Sequence, residues 1–160
     1  MELTLRELID DDLPILFEHQ RDAESNRMAA FTAKDPDDRP AFDAHWAKVR
    51  AHPTVTLRTI EALQDGEHVV VGSVLVHGWF DEPEVSFGIG RAYWGRGYAT
   101  AALKLFLEEI TLRPLHARAA SDNAGSLRVL DKCGFVITGT EHGFANARGA
   151  EIEETLLVLR

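Results

Sequence analysis

Apolar and polar residues alternate along Thr54–Ile60, which is rich in β-branched side chains, and again along Glu84–Ile89, where Val85, Phe87 and Ile89 share one face. A period of two predicts strands. Further β-rich runs at Leu3–Glu7, His68–His77, Leu115–Ala120, Phe135–Thr140 and Glu151–Arg160 bring the expected strands to seven. Gln64-Asp65-Gly66-Glu67 between two of them reads as a hairpin turn. Elsewhere the apolar period lengthens to that of a helix. One helix is expected to start near Asp11-Asp12, with acids in its first turn and Pro14 just inside. A second spans about Pro40–Ala51 after the loop Asp35–Pro40, with Phe42, Trp46 and Val49 on one face. A third runs from Tyr98 to about Ile110, with Ala99, Ala102, Leu103, Phe106 and Ile110 at helical spacing and Pro114 barring its extension. A fourth, Ala124–Lys132, follows the Ser121-Asp122-Asn123 cap and ends at Gly134.

This order of elements predicts an α/β (α+β) fold: a mixed, mostly antiparallel sheet flanked by about four helices, with a strand–helix–strand unit in the middle. The 160 residues suit a single domain, and they contain no repeat, low-complexity tract or linker. With 45% hydrophobic and 27% charged residues, the composition excludes disordered and fibrous classes. The lone cysteine, Cys133, rules out an intramolecular disulfide and is read as a small buried apolar residue. The first ten residues lack the basic start and apolar core of a signal peptide, and no apolar run reaches the roughly 18 residues of a membrane span. A cytoplasmic, membrane-free protein is the expectation.

The formal net charge of −9 argues against general nucleic-acid binding. Its distribution is uneven: Arg91–Lys132 carries a balance of +3 and the remainder −12. A basic middle in an acidic body suits a small polyanion, with a cationic second substrate beside it. An uneven surface without a ligand is the other reading. The seven histidines show no metal-ligand spacing, so no metal is expected.

Four of the twelve glycines, Gly88, Gly90, Gly95 and Gly97, fall within ten residues between a strand and a helix. Helix-start N–H groups are unpaired and the dipole end is positive, so such a turn can hold a phosphate. The dinucleotide fingerprint fails, because Tyr93 stands where its third glycine belongs. The P-loop fails too, because Arg96-Gly97 replaces its Lys-Ser/Thr. A turn whose glycines serve only geometry remains the bland alternative.

The turn does not stand alone. Tyr93-Trp94-Gly95-Arg96-Gly97-Tyr98-Ala99-Thr100 with its helix, then Asn123-Ala124-Gly125-Ser126, then Lys132-Cys133-Gly134-Phe135, resembles the GNAT superfamily of acyl-CoA-dependent N-acyltransferases. Within it the chain is similar to the ribosomal-protein alanine acetyltransferase branch, RimJ/RimL-like. The resemblance runs over most of the chain and is most specific from Glu84 to Phe135. It implies a splayed central strand pair and acetyl-CoA as co-substrate. Gly95, Arg96, Gly97, Tyr98, Ala99 and Thr100 would cradle the pyrophosphate, with Arg91 nearby. Ile89 and Gly90 would border the gap that takes the pantetheine arm. Asn123 and Ser126 would face the pantetheine and thioester, while Arg128 and Lys132 reach phosphate. The family's Gln/Arg-x-x-Gly-x-Gly/Ala pattern begins here with Trp94 instead of Gln/Arg.

Acyl transfer to an amine needs a neutral nitrogen, a stabilised oxyanion and a protonated leaving thiolate. The Tyr that many members place five residues before the Gly-Phe phenylalanine is Leu130 here, so Ser126 is the substitute acid relay, with helix lining as its alternative. Asn123 joins it as a catalytic candidate. For the base, Glu84 and Ser86 come first and His77 and Glu153 next, and the sequence alone does not choose. Met28, Phe31 and the Trp79-Phe80 pair are candidates for the acceptor pocket, and Trp46 and Phe42 read as core. Glu151, Glu153 and Glu154 either attract a cationic amine or are solvated. The acceptor is a protein N-terminus or a small amine, and a homodimer is compatible. Another donor such as succinyl-CoA, or a non-catalytic acyl-CoA sensor, are the competing functions.

Overall fold

A computed structural model describes residues 2–78 and 82–160. The alternating segments become seven strands in one sheet, in the order β1-β2-β3-β4-β5-β7-β6. These are β1 Leu3–Arg6, β2 Thr56–Gln64, β3 Glu67–His77, β4 Glu84–Ile89, β5 Leu115–Ala120, β6 Val136–Ala145 and β7 Ala150–Leu159. Two strands run further than their patterns suggest. β2 continues past Ile60 to Gln64, where Asp65 and Gly66 take positive φ (49° and 80°) in the expected hairpin. β6 continues past Thr140 to Ala145 at the sheet edge, where exposed positions weaken the period-two signal.

Among the described residues five α-helices flank the sheet: α1 Leu13–Arg21, α2 Ala23–Ala29, α3 Arg39–Ala51, α4 Tyr98–Glu109 and α5 Ala124–Lys132. The additional one, α2, arises because Asp22 leaves helical geometry (ψ 123°) and its carboxylate accepts from the Ser25 N–H at 2.9 Å. It thereby ends one helix and caps the next. On one face of the sheet, Tyr98, Leu103 and Phe106 of α4 and Leu130 of α5 pack on Val71, Val74, Val85 and Leu115. On the other, Leu16 and Phe17 of α1 and Phe42 and Val49 of α3 cover Leu57 and Val70. Buried Asp12 fixes the start of α1 to the sheet: it accepts from Thr59 Oγ1 at 2.8 Å and from two Arg6 nitrogens at 2.9 Å each. Burial pushes its pKa up, but these bonds and the Ile9 N–H outweigh it and hold the carboxyl below its ordinary value.

One junction breaks the sheet's regularity. All neighbouring strands pair antiparallel except β4 and β5, which run parallel and share a single paired position, Glu84↔His116. Beyond it the two strands diverge. The splayed pair expected from the resemblance is therefore present, opening toward the glycine turn.

Candidate active site

Strand alternation decides what faces the gap. Gly90 N–H bonds to Val71 O of β3 at 2.9 Å, so the even positions of β4 turn their main chain to β3 and the odd ones, Phe87 and Ile89, turn theirs toward β5. One of these groups is taken: Trp94 Nε1 donates to Ile89 O at 2.8 Å. Trp94, which departs from the family pattern, thus folds back over the end of β4 with 41% of its surface exposed. It acts as a wall of the gap.

The glycine turn leads straight into α4. Gly95 and Gly97 both have positive φ (76° and 79°), and Gly97 is the residue immediately before the helix. Ala101 N–H is the first to find a helical acceptor, Gly97 O at 3.1 Å. The amides of Tyr98, Ala99 and Thr100 precede it, and no side chain caps them. Three free donors and the positive end of a helix dipole therefore converge on one spot. A Cβ built on Gly95 meets no atom within 4 Å, so the backbone borders open space. These features fit a diphosphate.

A cavity of about 910 Å³ starts at this spot, passes through the β4–β5 gap and ends on the far face of the sheet between α1, α2 and α3. Among the expected donor residues, Ile89, Gly95, Gly97, Tyr98, Ala99 and Thr100 line it. So do Asn123, Ser126, Arg128 and Lys132 at the start and along α5. Four others do not. Gly90 instead lies against His19 of α1, where a Cβ would come within 2.6 Å of Nε2. The Arg91 guanidinium is bound to Asp22 at 2.9 Å. Arg96 sits over the Tyr93 ring, 5.9 Å from its centroid. Glu84 lies at the closed base of the splay, held by Arg118 Nε at 2.7 Å and by His77 Nε2 at 3.2 Å.

Asn123 has two structural bonds. Its Oδ1 accepts from Ser126 N–H at 3.2 Å as the cap of α5, and its Nδ2 donates to Met28 O at 3.2 Å. It ties the end of β5 to the wall of the cavity. Asn123→Ala is expected to cost about 1 kcal/mol through the lost cap, read as a fall in melting temperature of about 2–4 °C. Asn123→Asp keeps the cap but sets a carboxylate oxygen against Met28 O, so it should recover only part of the loss; equal melting points for all three proteins would contradict the assignment.

Arg118 and Glu141, which the sequence did not single out, converge with Glu154 on the cavity floor. Arg118 of β5 binds Glu154 of β7 at 3.0 Å, besides Glu84, with Glu141 of β6 at 3.6 Å. Glu154 is 9% exposed and lines the cavity. Burial raises its pKa, Arg118 opposes the rise, and Glu84 and Glu141 add to it. Glu153, one of the four base candidates, pairs with His142 and points to the opposite face. Ser86 lines the cavity; His77 is buried beside Glu84, and burial lowers its pKa. His19 also lines the cavity, and burial keeps its imidazole pKa low as well. Met28, Phe31, Phe42 and Trp46 line the cavity beyond the gap. Trp79 and Phe80 lie outside the described residues. Among the described residues no cluster of His, Cys, Asp or Glu could hold a metal ion.

The sheet splits at one parallel junction, and one cavity joins an uncapped helix start on one side to a buried carboxylate on the other. The family model described as the acetyltransferase (GNAT) domain matches residues 2–136, and the chain belongs to that family. It is an acyltransferase. Its fold is shared by Vibrio cholerae spermidine N-acetyltransferase in complex with CoA and spermine (TM-score 0.77, 19% identity, 98% of this chain and 95% of that one). Mycobacterium smegmatis RimJ in complex with CoA-disulfide is similarly alike (TM-score 0.79, 21% identity, 98% and 81%). So is a domain from Methanocaldococcus jannaschii (TM-score 0.75, 21% identity, 99% of each chain). No curated protein sequence matches the chain.

Proposed function

We propose that the protein moves an acetyl group from acetyl-CoA to a primary amine by direct attack of the amine on the thioester. The observation that carries this reading is the single cavity joining the amides of α4 to Glu154 through the β4–β5 gap. The diphosphate binds at Tyr98, Ala99 and Thr100, with Arg128 and Lys132 of α5 on the same wall. The pantetheine arm adds to the open edge of β4 in the manner of an extra strand, using the Phe87 and Ile89 main chain that Trp94 leaves available. The acetyl group then lies between that edge and Ser126. A main-chain N–H of β4 is placed to meet the oxyanion. Glu154 receives the proton from the attacking nitrogen, directly or through one water, and Arg118 favours its ionised form against the burial that opposes it.

Calorimetric titration with acetyl-CoA tests the donor site; binding in the micromolar to sub-millimolar range is expected, and its absence there defeats the proposal. A donor panel followed by free-thiol release should favour acetyl- over succinyl-CoA. Ser126→Ala should lower turnover about tenfold, below the usual range for proton transfer because a thiolate leaves readily. The melting temperature should stay constant, since the capping bond uses the Ser126 main chain and not its hydroxyl. Unchanged turnover would remove Ser126 from the chemistry.

A further inference from the structure

The acceptor half of the cavity has an uneven chemistry. Its walls combine apolar Leu16, Met28, Phe31, Phe42 and Trp46 with polar Gln20, Ser25, Asn26 and Thr32. Phe42 and Trp46 meet at 5.9 Å between ring centroids, forming an aromatic corner. Among the described lining residues, Glu154 is the one carboxylate, set against Arg118 on the floor. The carboxylates around the mouth are each already held by an arginine: Glu18 by Arg21, Asp22 by Arg91, Glu24 by Arg27 and Asp122 by Arg148, at 2.7–3.1 Å. Arg39, 5.9 Å from the Phe42 ring, is likewise paired, with Asp43 at 2.9 Å.

A polyamine carries an ammonium every few bonds and needs a row of carboxylates to receive them. In this cavity its second charge would leave water for Met28, Phe42 and Trp46 without a counter-ion, which is strongly unfavourable. A small polar amine, or an amino sugar, would leave the aromatic corner of Phe42 and Trp46 uncovered. An apolar body removes that surface from water, and one amine can meet Glu154.

We propose that the acceptor is a molecule with a single primary amine on a short link to an apolar, aromatic-sized body, its nitrogen at Glu154 and its body against Met28, Phe42 and Trp46. This rests on the acetyl-transfer reading above. A free arylalkylamine and a peptide beginning with an aromatic residue share that chemistry.

Thiol release from acetyl-CoA should be followed with 2-phenylethylamine, a Phe-first peptide, ethanolamine and spermidine. At least one of the two aromatic acceptors should exceed both polar ones at least tenfold in kcat/KM, and the comparison between the two aromatic arms identifies the source. Spermidine or ethanolamine matching or exceeding both overturns the inference alone. No thiol release from any of the four, with acetyl-CoA binding measured in the same sample, overturns the transfer reading with it. Met28→Glu adds a carboxylate to the wall and should move the spermidine-to-phenylethylamine ratio of kcat/KM up at least tenfold. Trp46→Ala should raise KM for the aromatic acceptor at least fivefold, and Trp46→Phe should restore it. An unmoved ratio in the first variant and an unmoved KM in the second would also overturn the proposal.

Discussion

Gly97→Glu is expected to weaken acetyl-CoA binding at least a hundredfold, about 2.7 kcal/mol, while the protein stays folded. Two effects act together. Gly97 sits at φ 79°, where a side chain costs about 1–2 kcal/mol of backbone strain. That strain is local to a turn before α4, and the helix itself is anchored by Tyr98, Ala102, Leu103 and Phe106, which are unaffected. The larger effect falls on the ligand. A carboxylate beside the free amides of Tyr98, Ala99 and Thr100 competes for the donors that a diphosphate would use, and it repels the incoming charge. Titration calorimetry and circular dichroism on the same sample separate binding from folding. Wild-type affinity in a folded Gly97→Glu protein would place the diphosphate elsewhere. The loss should shrink as salt rises, because part of it is charge repulsion.

What could be read from the chain beforehand follows how local each cause is. The glycine turn was legible because Gly95 and Gly97 respond to a backbone requirement within a few residues. The cap at Asn123 was legible for the same reason, although its second bond, to Met28 O, joins residues 95 positions apart and leaves no pattern. The break at Asp22 had no counterpart in the sequence reading, which gave the first helix a start near Asp11-Asp12 and no end. Naming Glu153 among the base candidates and Glu154 only as an attractor of a cationic amine left a question of parity open. One step along β7 exchanges the two faces, and only pairing with Arg118 and Glu141 settles which glutamate enters the cavity. Arg118 itself reads as an ordinary strand charge until β4, β6 and β7 bring three carboxylates to it. Trp94 and His19 belong to the same class: each acquires its place from a strand end, Ile89 O in one case and Gly90 in the other.

Glu154→Gln should lower kcat/KM about a hundredfold, the lower range for removing a positioned proton acceptor, and leave acetyl-CoA affinity unchanged. The sign of its effect on stability is opposite to that on activity. Because burial raises the pKa of Glu154, the folded state binds this proton more tightly than the unfolded chain does. Stability from this group is therefore present below the ordinary carboxylate pKa and is lost as pH rises through the raised value. Glutamine carries no charge to bury, so at neutral pH the variant should melt at or above the wild-type temperature. A less active protein that is no less stable separates a chemical role from a structural one. Arg118→Gln supplies the complementary shift. Without the guanidinium, burial and the charges of Glu84 and Glu141 act on Glu154 unopposed, so its pKa climbs further. The acid limb of the kcat/KM profile should then move to higher pH. An unmoved limb, or a Glu154→Gln enzyme with wild-type turnover, would assign the proton to another group, with His19 next in line on the cavity wall.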